Sequence, residues 1–213
     1  MIHGLPQGFL VSLASLFPIM NPIGALPPFV GLTQGQPHAD QRRQAIRTAI
    51  SVFALLAVFA LVGRPLLHAL GITLPALQVG GGLVVAASGF GMVRGGNGGG
   101  PVSSAEHEHA QAKPDVSFSP MAMPLIAGPG ALGVVIALAA RSSGAPAIGG
   151  LVLGALAMAL LVGVLLTFGT PLVDRLGATG VGALTRIFGF LILAIGVELV
   201  SHGLLAVFPG LAH

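Results

Sequence analysis

Long apolar runs decide what this chain can become. They fall at 4–32, 48–63, 71–93, 116–140, 144–173 and 187–208, the second continuing only weakly past Arg64. A helix of about 20 mostly apolar residues crosses the hydrocarbon core of a bilayer. The runs are continuous and rich in Leu, Ala, Val and Gly, unlike the alternating segments of about ten residues in a membrane β-barrel. The expectation is an all-α membrane protein with six transmembrane helices. The first run has no Lys or Arg ahead of it and carries several prolines, which is not the pattern of a cleaved signal peptide.

Only 7% of the 213 residues are charged and 54% are hydrophobic, with a mean hydropathy of +0.95. Soluble domains carry about 25% charged residues. This composition excludes a soluble globule, a disordered chain and a nucleic-acid partner, and it makes the lipid bilayer the solvent. The net charge of +3 is a small excess, not a basic patch. There is no Cys, so no disulfide or thiolate chemistry is expected. No His-Glu-x-x-His and no Gly-x-Ser-x-Gly occurs, and no enzyme is expected. No ATP-binding motif is present either, so active transport would draw on an ion gradient or on exchange. Glu106, His107, Glu108 and His109 are adjacent in a polar stretch and point in different directions, so neither a metal site nor a cofactor is expected.

Orientation follows from Lys and Arg. The loop after the first expected helix holds Arg42, Arg43 and Arg47, the loop after the third Arg94 and Lys113, and the loop after the fifth Arg175 and Arg186; Arg64 and Arg141 fall on the other side. The richer side is expected to be cytoplasmic. Both termini would then be periplasmic in a multi-pass protein of a bacterial inner membrane. The Gly-rich stretch 94–116 reads as a flexible cytoplasmic linker.

The two sides of that linker repeat one another. At an offset of 106, Pro18 meets Pro124, Gly24-Ala25-Leu26 meets Gly130-Ala131-Leu132, and Gly63, Pro65 and Gly71 meet Gly169, Pro171 and Gly177. At 107, Gly82 and Gly89 meet Gly189 and Gly196. Residues 1–93 and 117–213 are therefore expected to form two three-helix repeats. An odd number of crossings inverts the second copy, an architecture typical of secondary transporters.

Helices 1 and 4 carry matching interruptions. The first holds Pro18, Asn21, Pro22, Ile23, Gly24 and Pro27-Pro28; the fourth holds Pro120, Pro124, Ala127, Gly128, Pro129 and Gly130. Proline removes a backbone donor and clashes with the preceding turn. Irregular backbone at membrane depth survives where it is buried in protein or lines a wet cavity. Each break starts a half-helix whose free N–H groups suit a carboxylate. Asn21, Pro22, Ile23, Gly24, Ala127, Gly128, Pro129 and Gly130 are thus the expected substrate-binding residues.

Asn21-Pro22-Ile23-Gly24-Ala25-Leu26-Pro27-Pro28-Phe29 resembles a signature of the MarC family, and Pro124-Leu125-Ile126-Ala127-Gly128-Pro129-Gly130-Ala131 resembles its second signature. That family is similar to the SnatA-type neutral amino acid transporters. The resemblance implies a six-helix inner-membrane protein that transports neutral amino acids, with the proton as one candidate coupling ion and the coupling ion itself left open. Together with the little bulk of the Gly and Ala beside the breaks, it favours substrates of the glycine, alanine and serine type. The chain departs from the family pattern at Gln78, Gly91, Glu198 and His202. Glu198, the one acidic residue deep in a run, lies roughly 16 Å into helix 6, near the midplane. His202 is one turn on. These two are the expected proton-coupling pair.

A secondary transporter working by alternating access is the expected function. A passive pore, or a membrane component without a small-molecule substrate, is the alternative. The sequence sets no oligomeric state.

Overall fold

The computed structural model describes residues 1–94 and 115–208. The polar cluster Glu106–His109 and most of the linker lie outside the described residues. Among the described residues the secondary structure is helical, apart from one isolated parallel bridge between Ile2 and Ser142.

The first interrupted run becomes α1 (Leu5–Met20) and the seven-residue α2 (Leu26–Leu32), separated at Asn21–Ala25. Helix α3 (His38–Ala69) starts after Pro37, with Asp40 in its first turn where the helix dipole favours an acid. Arg42, Arg43 and Arg47 therefore ride on the first turns of α3 and do not occupy a loop, as the sequence reading has them. Helix α4 (Leu74–Val93) is capped by Thr73, whose side chain accepts from Ala76 N–H. The wide-turned segment Ser117–Ile126 follows, with backbone bonds from Met121 to Val116 and from Ala127 to Ala122. After it come α5 (Pro129–Arg141), α6 (Ala145–Phe168) and α7 (Thr170–Val207). Arg175 and Arg186 also lie within the last helix, and not in a loop before a helix starting at residue 187. The one break in α7 is Gly177, with φ 61°.

Among the described residues four helices are long and apolar enough to cross a membrane: His38–Gly63, Leu74–Val93, Ala145–Phe168 and Thr185–Val207. The pair Ser117–Ile126 and α5, bent by 63°, makes a fifth if taken as one span. The remaining expected crossing is divided. Helix α1 has 16 residues, about 24 Å at 1.5 Å per residue, short of a core about 30 Å thick.

Helix α5 is the centre of the core. Every residue from Gly130 to Ala139 is buried, the mark of a helix enclosed on all sides by protein. Small residues let its neighbours close around it. Helix α6 lays Gly150 against Gly8 and Phe9 of α1, and Gly154 against Ser12. Ser12 completes the contact by donating to the Leu151 carbonyl at 3.2 Å. The Gly150/Gly154 stripe thus serves packing, as its spacing implies.

The α4–α7 contact has a reciprocal register. Gly82 faces Leu199 and Val200, while Gly189 faces Met92 and Val93; Gly89 faces Leu193, while Gly196 faces Ala86. Adding 107 to each α4 residue, and subtracting it from each α7 residue, converts one contact of each pair into the other. The helices run antiparallel, since lower numbers on one meet higher numbers on the other. Such a self-complementary contact has a local two-fold axis perpendicular to the helices. Gly71 and Gly177, equivalent at the offset of 106, also both take positive φ, 68° and 61°.

Candidate functional site: the two breaks

The first break is closed by its own backbone and one side chain. Asn21 takes the left-handed conformation at φ 43°, which Asn tolerates better than most residues. Its side-chain oxygen accepts Gly24 N–H at 3.1 Å and its carbonyl accepts Ala25 N–H at 3.1 Å. Leu26 N–H is accepted by Ile23. Pro22, Pro27 and Pro28 carry no N–H. Most donors of this break are therefore absent or used internally, contrary to the sequence reading that both breaks offer free N–H groups. A Cβ on Gly24 would overlap the Asn21 amide, so this cap requires glycine there.

The second break is open. Helix α5 begins after Gly128, which brings no capping side chain. Pro129 has no N–H, and the first bond of the helix runs from Leu132 N–H to Gly128 at 3.0 Å. The N–H groups of Gly130 and Ala131 precede that bond and have no acceptor within the helix. Both residues are buried. Ala127 and Gly128 are buried too, while Pro129 is exposed. A Cβ on Gly128 would overlap the Pro124 carbonyl, so the turn into α5 needs glycine.

Both breaks rest on one face of α4. A Cβ on Gly130 would meet Val85 and come within 3.7 Å of Ile19, two residues before Asn21. Seven residues beyond Val85, the Met92 sulfur lies 3.9 Å from Asn21 Nδ2. The structure thus brings Asn21 and Gly130 to neighbouring places along α4. Pro22 is buried, and Ile23 and Gly24 are half-buried.

Glu198 and His202 are elsewhere. Gly189, Ile192, Gly196 and Gly203 of α7 are buried toward α4, whereas Glu198 and His202 project from the opposite side. They pair with each other at 3.5 Å, with side chains 69% and 55% exposed. The sequence reading joins them to the site; the structure does not bring them to either break.

Sequence reasoning also passes over a polar stripe on α3. Gln41 donates to the carbonyls of Thr33 and Gln36, both at 3.1 Å. Gln44 donates to Gln36 Oε1 at 2.6 Å and accepts Val116 N–H at 3.0 Å. Thr48 donates to the Ser117 carbonyl at 3.1 Å. The signal was present: residues 41, 44 and 48 share one helical face. Beside them Arg47 pairs with Asp115, whose carboxyl also accepts Ser117 N–H at 2.9 Å. Hydrogen bonds from Ser117, then Arg47, hold the Asp115 carboxyl below its usual range. One stripe therefore ties the end of α2 and the start of the second broken segment to the same helix.

A helical chain with four or five membrane-long helices and proline-broken apolar segments between them is a multi-pass integral membrane protein. The chain belongs to the MarC family of integral membrane proteins, whose profile matches residues 7–208. It is similar to a UPF0056 membrane protein of Methanocaldococcus jannaschii, 33% identical over 201 residues covering 93% of this chain and 96% of that one. The UPF0056 membrane protein YvbG of Bacillus subtilis is 30% identical over 198 residues, 92% and 93% of the two chains. The UPF0056 inner membrane protein MarC of Escherichia coli O1:K1 is 30% identical over 208 residues, 92% and 94%. No solved structure matches the chain.

Proposed function

We propose that this protein is a secondary transporter that moves small neutral amino acids across the inner membrane by alternating access. The observation that carries the reading is the buried pair of N–H groups of Gly130 and Ala131, at the start of a half-helix enclosed by protein. A helix N-terminus in that position attracts a carboxylate. Gly128, Gly130 and Ala131 leave little bulk beside it, which favours glycine, alanine or serine.

The same proposal takes the chain as six crossings in two inverted units, residues 1–93 and 117–213. The reciprocal α4–α7 register and the matched glycines Gly71 and Gly177 support it. The two units rock about that axis, and the α3 stripe carries movement from one broken element to the other. Glu198 and His202 face away from the breaks, so no proton step is placed on them.

Uptake of labelled glycine, alanine and serine by purified protein in liposomes, with and without an imposed pH gradient, tests the reading. Saturable uptake with mutual competition is the expected result. A non-saturable leak would instead favour a passive pore, and no movement of solute would favour a non-transporting component.

A further inference from the structure

We infer that the outward face of α7 is the contact surface for a second copy of this chain, organised around Glu198 and His202. Of the most apolar 18 residues of Thr185–Val207, 17% are buried within the chain, against 28% in His38–Gly63 and in Leu74–Val93 and 39% in Ala145–Phe168. Glu198 stands 13 residues after Thr185 and nine before Val207, close to the middle of the span. A carboxyl and an imidazole at that depth are costly against hydrocarbon, and such residues face protein or a wet cavity. Among the described residues each has only the other as a side-chain partner, at 3.5 Å between Nδ1 and Oε1.

The chemistry of the pair selects the occupant. Pairing within the chain uses one nitrogen of His202 and one oxygen of Glu198, leaving one nitrogen and one oxygen on the outer surface. An identical surface brought up by a two-fold axis along the membrane normal places a second Glu198–His202 pair at the same depth, where the free nitrogen of each pair has the free oxygen of the other as a partner. Such a contact is self-complementary.

The spacing around the pair fits the same occupant. Ile187, Leu191, Ala194, Glu198, Ser201 and Leu205 follow one another at steps of four and three, and all are exposed. That alternation is the seam of two parallel helices, and a polar residue within such a seam fixes its register. Small Ala194 and Ser201 on either side of Glu198 allow the close approach that membrane helix pairs use. This inference needs only the helical fold in a membrane and stands apart from any transport activity.

The chain has no cysteine, so single cysteines report cleanly. Ala194→Cys and Ser201→Cys are expressed in full-length protein and oxidised in native membranes. Leu160→Cys, 60% exposed on α6, is the control. Crosslinked dimer of this chain at both seam positions and not at Leu160 is expected. Adding Glu198→Leu to Ala194→Cys should lower the dimer yield by about tenfold. Monomer only at both seam positions would overturn the inference in favour of lipid, and an adduct of another mass in favour of a different partner. An unchanged yield with Glu198→Leu would also overturn it, since the Glu198–His202 pair would then not hold the contact.

Discussion

The side-chain oxygen of Asn21 accepts the backbone N–H of Gly24 at 3.1 Å, across the gap between α1 and α2. One residue thus supplies both the left-handed turn and its cap. Asn21→Leu loses the cap and places a branched side chain at φ 43°, a combined cost of roughly 2–3 kcal/mol. Asn21→Gly keeps the backbone and should cost only a few tenths of a kcal/mol. Thermal unfolding in detergent should rank the native chain and the glycine variant together, well above leucine. Equal loss in both variants would mean that Asn21 acts through something other than the turn.

Gly130→Ala puts a methyl group against Val85 beside the open N–H groups. Overpacking of this kind costs about 1–3 kcal/mol. Val85→Ala in the same chain should recover most of that stability. If the N–H pair binds the carboxylate, uptake should stay at least about tenfold down in the double variant, because the new methyl remains at the site. Full recovery of uptake would remove Gly130 from the site.

Reporter fusions address orientation. A fusion after residue 208 should read periplasmic, and one within 94–116 cytoplasmic, from the bias of Lys and Arg. Arg42, Arg43 and Arg47 keep their predictive value on the first turns of α3, because a charge at a helix end orients a span as well as one in a loop. The reversed pattern would invert the whole assignment.

Asp115 sets a pH dependence outside the spans. Its carboxyl is held below the usual range by Ser117 and Arg47, so the folded form favours the ionised group. The stability it contributes is present above the unfolded value, about 3.9, and is lost as pH falls through the lower folded value. Its side chain is 40% exposed, so water and salt limit the gain to under about 1 kcal/mol. The stability gap between the native chain and Asp115→Asn should hold constant from about pH 7 to 5 and shrink below about pH 4. A gap unchanged at about pH 3 would show that the asparagine acts through packing.

Glu198→Gln should leave the size of amino acid accumulation under a pH gradient close to the original. The side chain lies on the face of α7 turned away from Asn21 and Gly130, and it does not share their surroundings. Abolished accumulation with intact counterflow exchange would return the coupling proton to Glu198.

Much of this architecture was legible in the residues. Apolar runs located the long helices because a bilayer accepts little else. Paired prolines and glycines located both breaks, since proline cannot donate and its ring opposes a continuous helix. The glycine matches at 107 even marked the α4–α7 contact, though not which glycine would meet which. The sequence could not say that the two breaks differ. Whether a freed N–H stays open depends on whether a side chain such as Asn21 folds back onto it, and Gly128 has none to fold. Nor could it tell that Glu198 points outward: helical spacing places Glu198 opposite Gly196, but only packing reveals that Gly196 is the buried side. Periodicity determines which residues share a face. Tertiary structure alone decides which face is covered, because that depends on the shape of the neighbouring helix.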